Sequence, residues 1–203
     1  IFPFTKRYFI SKIPSSDNSI FLTFDDGPIP EITEWVLDKL NEYNAKATFF
    51  CVGENITKHP YIFEKIINNN HTIGNHTFNH LNGWKTKTND YIQNSLLFNN
   101  NYNTTIFRPP YGKLKIKQAK LLSKKYKIIL WSFMTFDYNK NINPQNTINF
   151  LKNNIFSGSI IVLHDNVKSF DNVKIILPEI LQYFSQKGYQ FKSIDNNTID
   201  SII

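Results

Sequence analysis

Two neighbouring aspartates, Asp25 and Asp26, have the side chains and the setting best suited to chemistry in this sequence. They follow the apolar run of residues 19–24 and precede a Gly-Pro pair, although Asp-Asp-Gly-Pro alone is also common in polar turns that close a strand. Successive side chains of an extended segment point in roughly opposite directions. One aspartate could therefore hold a metal ion while the other acts as a base towards a water molecule.

Two histidines at one-turn spacing, His76 and His80, complete a set of candidate metal ligands with Asp26. One carboxylate and two imidazoles can bind one divalent transition metal and leave coordination positions for water and substrate. Zinc is favoured by the Irving–Williams order and by availability, and cobalt, nickel, iron and manganese are the alternatives. The ligand types disfavour calcium and magnesium.

The composition indicates one ordinary domain. A chain of 203 residues with 41% hydrophobic residues can bury one substantial core. The net charge of +7 comes from lysines that form no continuous run, so we expect no nucleic-acid partner. The single cysteine, Cys51, excludes an intrachain disulfide and a thiolate metal cluster. No apolar stretch approaches the roughly 18 residues of a membrane span. For the oligomeric state, a monomer is the default expectation.

The elements that must position the candidate residues alternate along the chain. Short apolar runs alternate with longer segments of helical period, which is typical of strand-helix units around a parallel sheet or barrel. The predicted strands are residues 19–24, 47–50, 72–74, 105–108, 128–131, 160–164 and 189–193. The predicted helices are residues 30–43, 60–69, 88–100, 115–125, 144–154 and 173–187.

The polar candidates fall at the carboxyl ends of these predicted strands. The aspartate pair follows the first strand, His76 the third, Arg108 the fourth and His164 the sixth. Active sites of α/β barrels lie on that face. We therefore expect these side chains to meet in one cleft.

Four separated motifs identify a family. They are Thr-Phe-Asp-Asp-Gly-Pro at 23–28, His-Thr-Phe-Asn-His at 76–80, Arg-Pro-Pro-Tyr-Gly at 108–112 and Leu-His-Asp at 163–165. In this order they resemble polysaccharide deacetylases, specifically a NodB-homology domain of the carbohydrate esterase family 4 type. The resemblance implies a distorted (β/α)7-type barrel in a single domain, residues 19–203, preceded by an N-terminal extension of residues 1–18.

The resemblance also implies an activity. Members of the family remove N-acetyl groups from glycans of N-acetylglucosamine type, such as peptidoglycan or chitin, with one metal at positions matching Asp26, His76 and His80. Hydrolysis of an amide needs a polarised carbonyl, an activated water, a stabilised oxyanion and a proton for the leaving amine. By resemblance Asp25 is the general base, and Arg108 orients it and keeps it ionised.

The remaining roles follow from the same resemblance. The backbone N–H of Tyr111 would stabilise the oxyanion, after a stretch stiffened by two prolines. His164 would donate the proton to the leaving sugar amine as general acid. Trp131 and Leu163 would line a small apolar pocket for the acetyl methyl group. Independently of the resemblance, the aromatic rings of Tyr111, Trp131 and Tyr138 offer stacking surfaces that fit a sugar ring.

One motif departs from the family pattern. The family usually carries an aspartate at the position of Met134 and a tryptophan at that of Tyr138, and the aspartate tunes the acid histidine. Met134 carries no charge. Either Asp137 or Asp165 could take over the orientation of His164, and Asp137 is favoured.

Three classes of function therefore stay open from the sequence. The leading one is a metal-dependent N-deacetylase acting on an acetylated glycan. The second is another hydrolase on the same scaffold, either an O-acetyl esterase of xylan type or an amidase of a non-sugar substrate. The third is a catalytically weakened glycan-binding protein. Resemblance alone suggests the cell envelope, the periplasm or the exterior as the location.

Overall fold

The structure is a computed structural model and describes residues 8–195 and 198–199. The strands in this part of the chain are β1 Phe9–Ile10, β2 Ser19–Asp25, β3 Ala47–Cys51, β4 Thr72–Asn75, β5 Ile106–Phe107, β6 Lys127–Ile129, β7 Phe133–Met134, β8 Ser159–His164 and β9 Gln190–Phe191. The helices are α1 Ile32–Glu42, α2 Gly53–Lys58, α3 Pro60–Asn68, α4 Thr88–Asn101, α5 Ile116–Leu122, α6 Pro144–Asn154 and α7 Phe170–Gln186.

All of the strand pairs within the described sheet are parallel. The order is β1-β6-β5-β4-β3-β2-β8-β7, and β9 pairs with the start of β2. The path leaves β1 and β7 as edges, so the sheet is an open half-barrel. This confirms the predicted α/β barrel architecture of a single domain.

Both faces of the central strand β2 are buried, which explains its nearly continuous apolar sequence. Leu22 and Phe24 belong to an outer hydrophobic cluster that also includes side chains of α1, α6 and α7. Phe21 belongs to a separate cluster on the inner face of the sheet. Since side chains alternate along a strand, Asp25 lies on the inner face, four residues after Phe21.

Three short elements were not predicted. They are β1, α2 and β7, and the two strands among them have only two residues each, too few for a periodic pattern to be recognised. β1 pairs with β6, and Ile13, just beyond it, is buried with its N–H bonded to the carbonyl of Gly158. Residues 9–13 therefore pack against the barrel. The domain boundary at residue 19 stays a prediction.

Most predicted elements agree with the structure to within a few residues at each end. β6 ends at Ile129, so Trp131 lies beyond the strand that was predicted to contain it. None of the helices among the described residues is long and apolar enough to span a bilayer.

Candidate active site

A cavity of about 740 Å³ opens at the carboxyl ends of the central strands. Most of the predicted site residues line it, namely Asp25, Asp26, His76, His80, Tyr111, Trp131, Tyr138 and His164. Arg108 and Asp137 lie behind this wall and contact lining residues. The parallel register brings Asp25 of β2 opposite His164 of β8, as expected for strands that end at the same edge.

Asp26, His76 and His80 form a cluster that could hold a metal ion. One ligand atom from each residue lies within 4.8 Å of the others. Asp26 Oδ1 is 3.0 Å from His80 Nε2 and 3.5 Å from His76 Nε2. His76 Nδ1 lies 2.8 Å from the carbonyl oxygen of Arg108, which can only accept, so Nδ1 carries the proton and Nε2 is left with a lone pair. The donor set fits a divalent transition metal.

The environment of Asp26 favours its ionised form. Burial opposes the charge, but the close contacts with the imidazoles of His76 and His80 outweigh burial and hold the pKa of Asp26 well below its ordinary value. Asn166 Nδ2 donates to the second oxygen, Oδ2, at 2.6 Å, and Asn55 Nδ2 donates to the Asp26 carbonyl at 2.7 Å. The carboxylate is thus both charged and fixed in orientation, as a metal ligand requires.

Four non-glycine residues of the site have left-handed backbones. Their φ angles are 87° at Asp26, 63° at Thr77, 54° at His80 and 60° at Tyr111. This region is costly for residues with a Cβ atom, and such strain concentrates at functional sites where neighbours enforce it. Two of the four are candidate metal ligands, so the chain is bent to bring their side chains together.

Backbone N–H groups that donate to two asparagine side chains hold the bent segment of residues 76–81 in place. Asn75 Oδ1 accepts from the N–H of Thr77 at 2.8 Å. Asn94 Oδ1, on α4, accepts from the N–H groups of Phe78 and Asn79, each at 3.0 Å. These contacts offset the backbone strain and fix the loop that carries the second histidine.

Asp25 and Arg108 form a buried ion pair. Arg108 Nη1 lies 2.7 Å from Asp25 Oδ1 and also donates to Thr23 Oγ1 at 2.7 Å. Its Nε and Nη2 donate to the carbonyls of Ile129 and Leu130 at 3.2 and 3.0 Å. A buried charge pair is tolerated when its remaining polar atoms are bonded, and here each of the three guanidinium nitrogens has an acceptor. The arrangement fixes Asp25 through one oxygen and leaves Oδ2 available towards the cavity.

His164 and Asp137 form a second pair. His164 Nδ1 lies 2.7 Å from Asp137 Oδ1, and the His164 backbone N–H donates to Asp137 Oδ2 at 2.7 Å. Burial opposes protonation of the ring, but Asp137, with the charges of Asp25 and Asp26, outweighs burial and raises the pKa of His164 to about 9. The imidazole is therefore protonated near neutral pH.

Asp165, the other residue considered as a partner for His164, forms its hydrogen bonds with Gly27 and Thr33 instead. Its Oδ1 accepts from the Gly27 N–H at 3.0 Å and its Oδ2 from Thr33 Oγ1 at 2.6 Å. Burial raises the pKa of Asp165 to about 7 against the effect of these donors. A Cβ atom on Gly27 would lie 1.9 Å from Asp165 Oδ2, so the turn after the aspartate pair requires glycine for space.

The walls of the cavity are aromatic. Trp131 and Tyr138 line it as predicted, and the Tyr138 ring packs edge-on against the His164 ring with centroids 5.3 Å apart. Leu163 does not line it: the side chain is fully buried in the outer hydrophobic cluster. Leu163 precedes His164 in an extended strand, and its side chain therefore points to the opposite face. The prediction for Leu163 is corrected accordingly.

Asn166 and Asn55 are contacts of the site that the sequence did not reveal. Both donate to Asp26, and both line the cavity. The position of Asn166, two residues after His164 at the same strand end, was the available signal. Asn55 lies on α2, an element that was not predicted, so no signal pointed to it.

Comparisons with known proteins agree with this geometry. A family model described as polysaccharide deacetylase matches residues 12–128. A protein of Bacillus cereus named peptidoglycan-N-acetylglucosamine deacetylase is 32% identical over 198 residues, which cover 92% of this chain and 91% of the relative. One of Listeria monocytogenes with the same enzyme name is 30% identical, covering 94% of this chain and 42% of the relative.

A solved structure shares the fold. It is a peptidoglycan N-acetylglucosamine deacetylase in complex with 4-naphthalen-1-yl-N-oxidanyl-benzamide, with a TM-score of 0.80 and 33% identity. The match covers 94% of this chain and 93% of that one. The chain belongs to the polysaccharide deacetylase family. The predicted resemblance, and with it the class of hydrolases acting on amide bonds of polysaccharides, is confirmed.

Proposed function

We propose that the protein is a metal-dependent hydrolase that removes N-acetyl groups from a polysaccharide or oligosaccharide of N-acetylglucosamine type. One observation carries the proposal: a candidate metal cluster, a fixed carboxylate and a protonated imidazole face the same cavity. The names of the Bacillus cereus and Listeria monocytogenes relatives support a peptidoglycan-like glycan as substrate.

Asp26, His76 and His80 would hold one divalent ion, with zinc favoured by the donor types. When bound, such an ion would polarise the acetyl carbonyl and lower the pKa of a water molecule. The chain supplies what this chemistry needs from a protein: one ionised carboxylate and a histidine whose Nδ1 is already bonded to a carbonyl.

Asp25 would take the proton from the attacking water as general base. Arg108 fixes one oxygen of this carboxylate and neutralises its charge, so the other oxygen can be directed at the water. Asp25 and Asp26 are adjacent in the chain, but the Asp25 carboxylate pairs with Arg108, whereas the Asp26 carboxylate contacts His76 and His80. The base and the metal site are therefore close without sharing ligand atoms.

Tyr111 and Trp131 would position the acetyl group. The backbone N–H of Tyr111 would donate to the oxyanion, which is the residue's expected role by family resemblance. The left-handed Tyr111 lets the chain turn back after Pro110, and Gly112 next to it lets Trp131 pack closely, since a Cβ atom there would lie 2.6 Å from the indole. Trp131 would then cover the acetyl methyl group.

His164 would donate the proton to the leaving amine. Its pKa of about 9 keeps the ring protonated at neutral pH, and the bond from Nδ1 to Asp137 directs the other nitrogen, Nε2, away from Asp137. Asp137 is fully buried and acts through His164, as a positioning residue.

The other functions that the sequence left open gain no specific support. An O-acetyl esterase would use the same protonated His164, since its leaving alkoxide also needs a proton, so this group does not favour an ester over an amide. A weakened glycan-binding protein would have no use for a buried Asp25–Arg108 pair beside three convergent metal-type ligands. Neither a non-sugar amidase nor an esterase explains the observed groups better than the N-deacetylase does.

Acetate release from N-acetylglucosamine oligomers tests the proposal. Protein stripped of metal would be assayed alone and after addition of zinc or cobalt, with Asp25→Asn in parallel. We expect release that depends on metal and is lost in the variant. Absence of release with every metal, in protein that binds zinc, would contradict the proposal.

A further inference from the structure

An exposed tryptophan, Trp84, stands beside the cavity. Its side chain is 61% exposed, the largest value for an aromatic side chain among the described residues. It lies between the loop that carries His80 and the start of α4. Tryptophan is enriched at binding interfaces, and a flat indole suits the apolar face of a sugar ring.

The loop around Trp84 is rigid. The buried Gln118 donates from Nε2 to the Gly83 carbonyl at 3.0 Å and accepts the Lys115 N–H through Oε1 at 2.8 Å. Lys115 Nζ donates to the Thr86 carbonyl at 2.7 Å. A Cβ atom on Gly83 would lie 2.3 Å from the carbonyl oxygen of Lys113, so the loop packs closely against the segment before α5. Because the backbone that carries the indole is held in place, binding a ring there requires little ordering of the loop.

Lys113 connects Trp84 to the cavity. It lines the cavity, and its Nζ lies 5.3 Å from the centroid of the Trp84 ring. Lys113 forms no ion pair with any residue that the structure describes. Its charge is therefore available to a ligand that extends out of the cavity across the Trp84 ring.

The charge of the surrounding sequence favours an anionic ligand. Between Asp90 and Asp137 the chain contains no aspartate or glutamate. The basic residues of this stretch are Arg108, Lys113, Lys115, Lys117, Lys120, Lys124, Lys125 and Lys127. Of these, Arg108 is neutralised by Asp25, whereas Lys113 and Lys115 contact the loop that carries Trp84. A local positive field attracts carboxylates.

We infer that Trp84 and Lys113 form a second binding position for the glycan, one that takes a non-reacting sugar bearing a carboxylate. Trp84 stacks on the ring, and Lys113 pairs with the carboxylate. The inference rests on the proposed function for the nature of the polymer. It goes further in assigning a preference for an acidic glycan over a neutral one to two named residues outside the reacting groups.

Binding and kinetics on a matched pair of ligands test the inference. The ligands are a tetrasaccharide of alternating N-acetylglucosamine and N-acetylmuramic acid, the same compound with each carboxylate converted to an amide, and free N-acetylglucosamine. Dissociation constants would be measured by calorimetry in the zinc-loaded protein carrying Asp25→Asn, and KM and kcat in the active protein.

The two substitutions have different expected patterns. Trp84→Ala weakens binding of both tetrasaccharides by about three- to tenfold, the range for loss of one aromatic contact. Lys113→Met, which keeps the length of the side chain, weakens binding of the acidic tetrasaccharide alone by about two- to fivefold, as for an exposed ion pair. In both variants kcat and the binding of free N-acetylglucosamine are unchanged, because the reacting sugar is not contacted.

The controls separate this surface from general effects. Trp84→Phe retains most of the binding. Tyr61→Ala, an exposed aromatic on α3, and Lys120→Met, an exposed lysine on α5 that does not line the cavity, change nothing. Unchanged binding of both tetrasaccharides in Trp84→Ala, or equal weakening of the acid and the amide in Lys113→Met, overturns the inference.

The outcomes also separate this inference from the proposed function. Binding that depends on Trp84 and Lys113, in a protein that releases no acetate with any metal, supports the second binding position and contradicts the deacetylase proposal. Acetate release with a KM indifferent to both substitutions supports the proposal and overturns the inference. A wild-type protein that binds neither tetrasaccharide overturns the inference as well.

Discussion

Asp137 Oδ1 lies 2.7 Å from His164 Nδ1, although the family resemblance places the partner of this histidine three residues earlier, at Met134. Met134 pairs with Val162 on β8, so the chain is still extended at that point. It then turns at Phe136, whose φ is 56°, and this turn brings Asp137 to the end of β8. A carboxylate three positions further along the chain therefore contacts this imidazole.

The charge of Asp137 is expected to set the basic limb of the pH–rate profile. His164 acts as an acid only when protonated, so the rate falls as pH rises through its pKa, which Asp137 raises. Asp137→Asn keeps the shape but removes the charge, lowers this pKa, and should shift the basic limb to lower pH. The profile of kcat/KM in the zinc-loaded protein checks this, with the exposed Asp171→Asn as control. If the basic limb does not move, the charge of Asp137 does not control the titration of His164.

Restoring the residue usual in the family should have little effect. The partly exposed Met134 contacts Tyr138 through its sulfur, 3.8 Å from the hydroxyl oxygen, and the Nδ1 of His164 is already occupied by Asp137. We expect Met134→Asp to leave the basic limb in place. A shift to higher pH in the same profile would mean that a carboxylate at this position also stabilises the imidazolium.

The separated motifs predicted the residues that face the cavity, because Asp25, Asp26, His76 and His164 occupy strand ends whose positions follow from alternating patterns. The orientation of neighbouring side chains was harder to predict from the sequence. Leu163 was assigned to the pocket by family resemblance, whereas alternation along β8 turns it into the outer core. Asn55 depends on α2, whose six residues are too few for a reliable periodic pattern.

Substitution of the proposed base and substitution of a proposed metal ligand should have different effects on zinc binding. Asp25→Asn removes the carboxylate paired with Arg108 and should abolish turnover without weakening zinc binding, because Asp25 is not in the ligand cluster. His80→Ala removes one of three ligands and should weaken zinc binding itself. Zinc affinity measured against a competing chelator checks both variants. Equal loss of zinc in the two would refute these roles.

Asn166 is expected to support the metal site through Asp26. Its amide donates to Asp26 Oδ2 at 2.6 Å and restrains the carboxylate while Oδ1 faces the histidines. Loss of such an outer contact typically reduces metal affinity or activity by about 10–100-fold. We expect a weakening of this order in Asn166→Ala, with the exposed Asn149→Ala as control. Zinc titration with unfolding monitored in parallel separates this effect from loss of the fold.

The turn after the aspartate pair should tolerate no side chain at Gly27. A Cβ atom there would overlap Asp165 Oδ2 at 1.9 Å, and Asp165 is fully buried and bonded to Thr33, so it cannot move aside. Gly27→Ala should lower the free energy of unfolding by about 1–3 kcal/mol, the range for overpacking. Gly188→Ala is the contrast, because a Cβ atom there meets nothing within 4 Å and only its φ of 77° opposes the change.

A double substitution identifies the cause of the expected loss at Gly27. Asp165→Ala removes the carboxylate that a Cβ atom would strike, so Gly27→Ala should cost less in that background than in the wild type. Chemical denaturation of the four proteins in this cycle gives the coupling. Additive losses would show that the contact with Asp165 is not what requires glycine at this turn. A smaller loss for Gly27→Ala in the Asp165→Ala background would instead show that Asp165 is the reason for glycine at this turn.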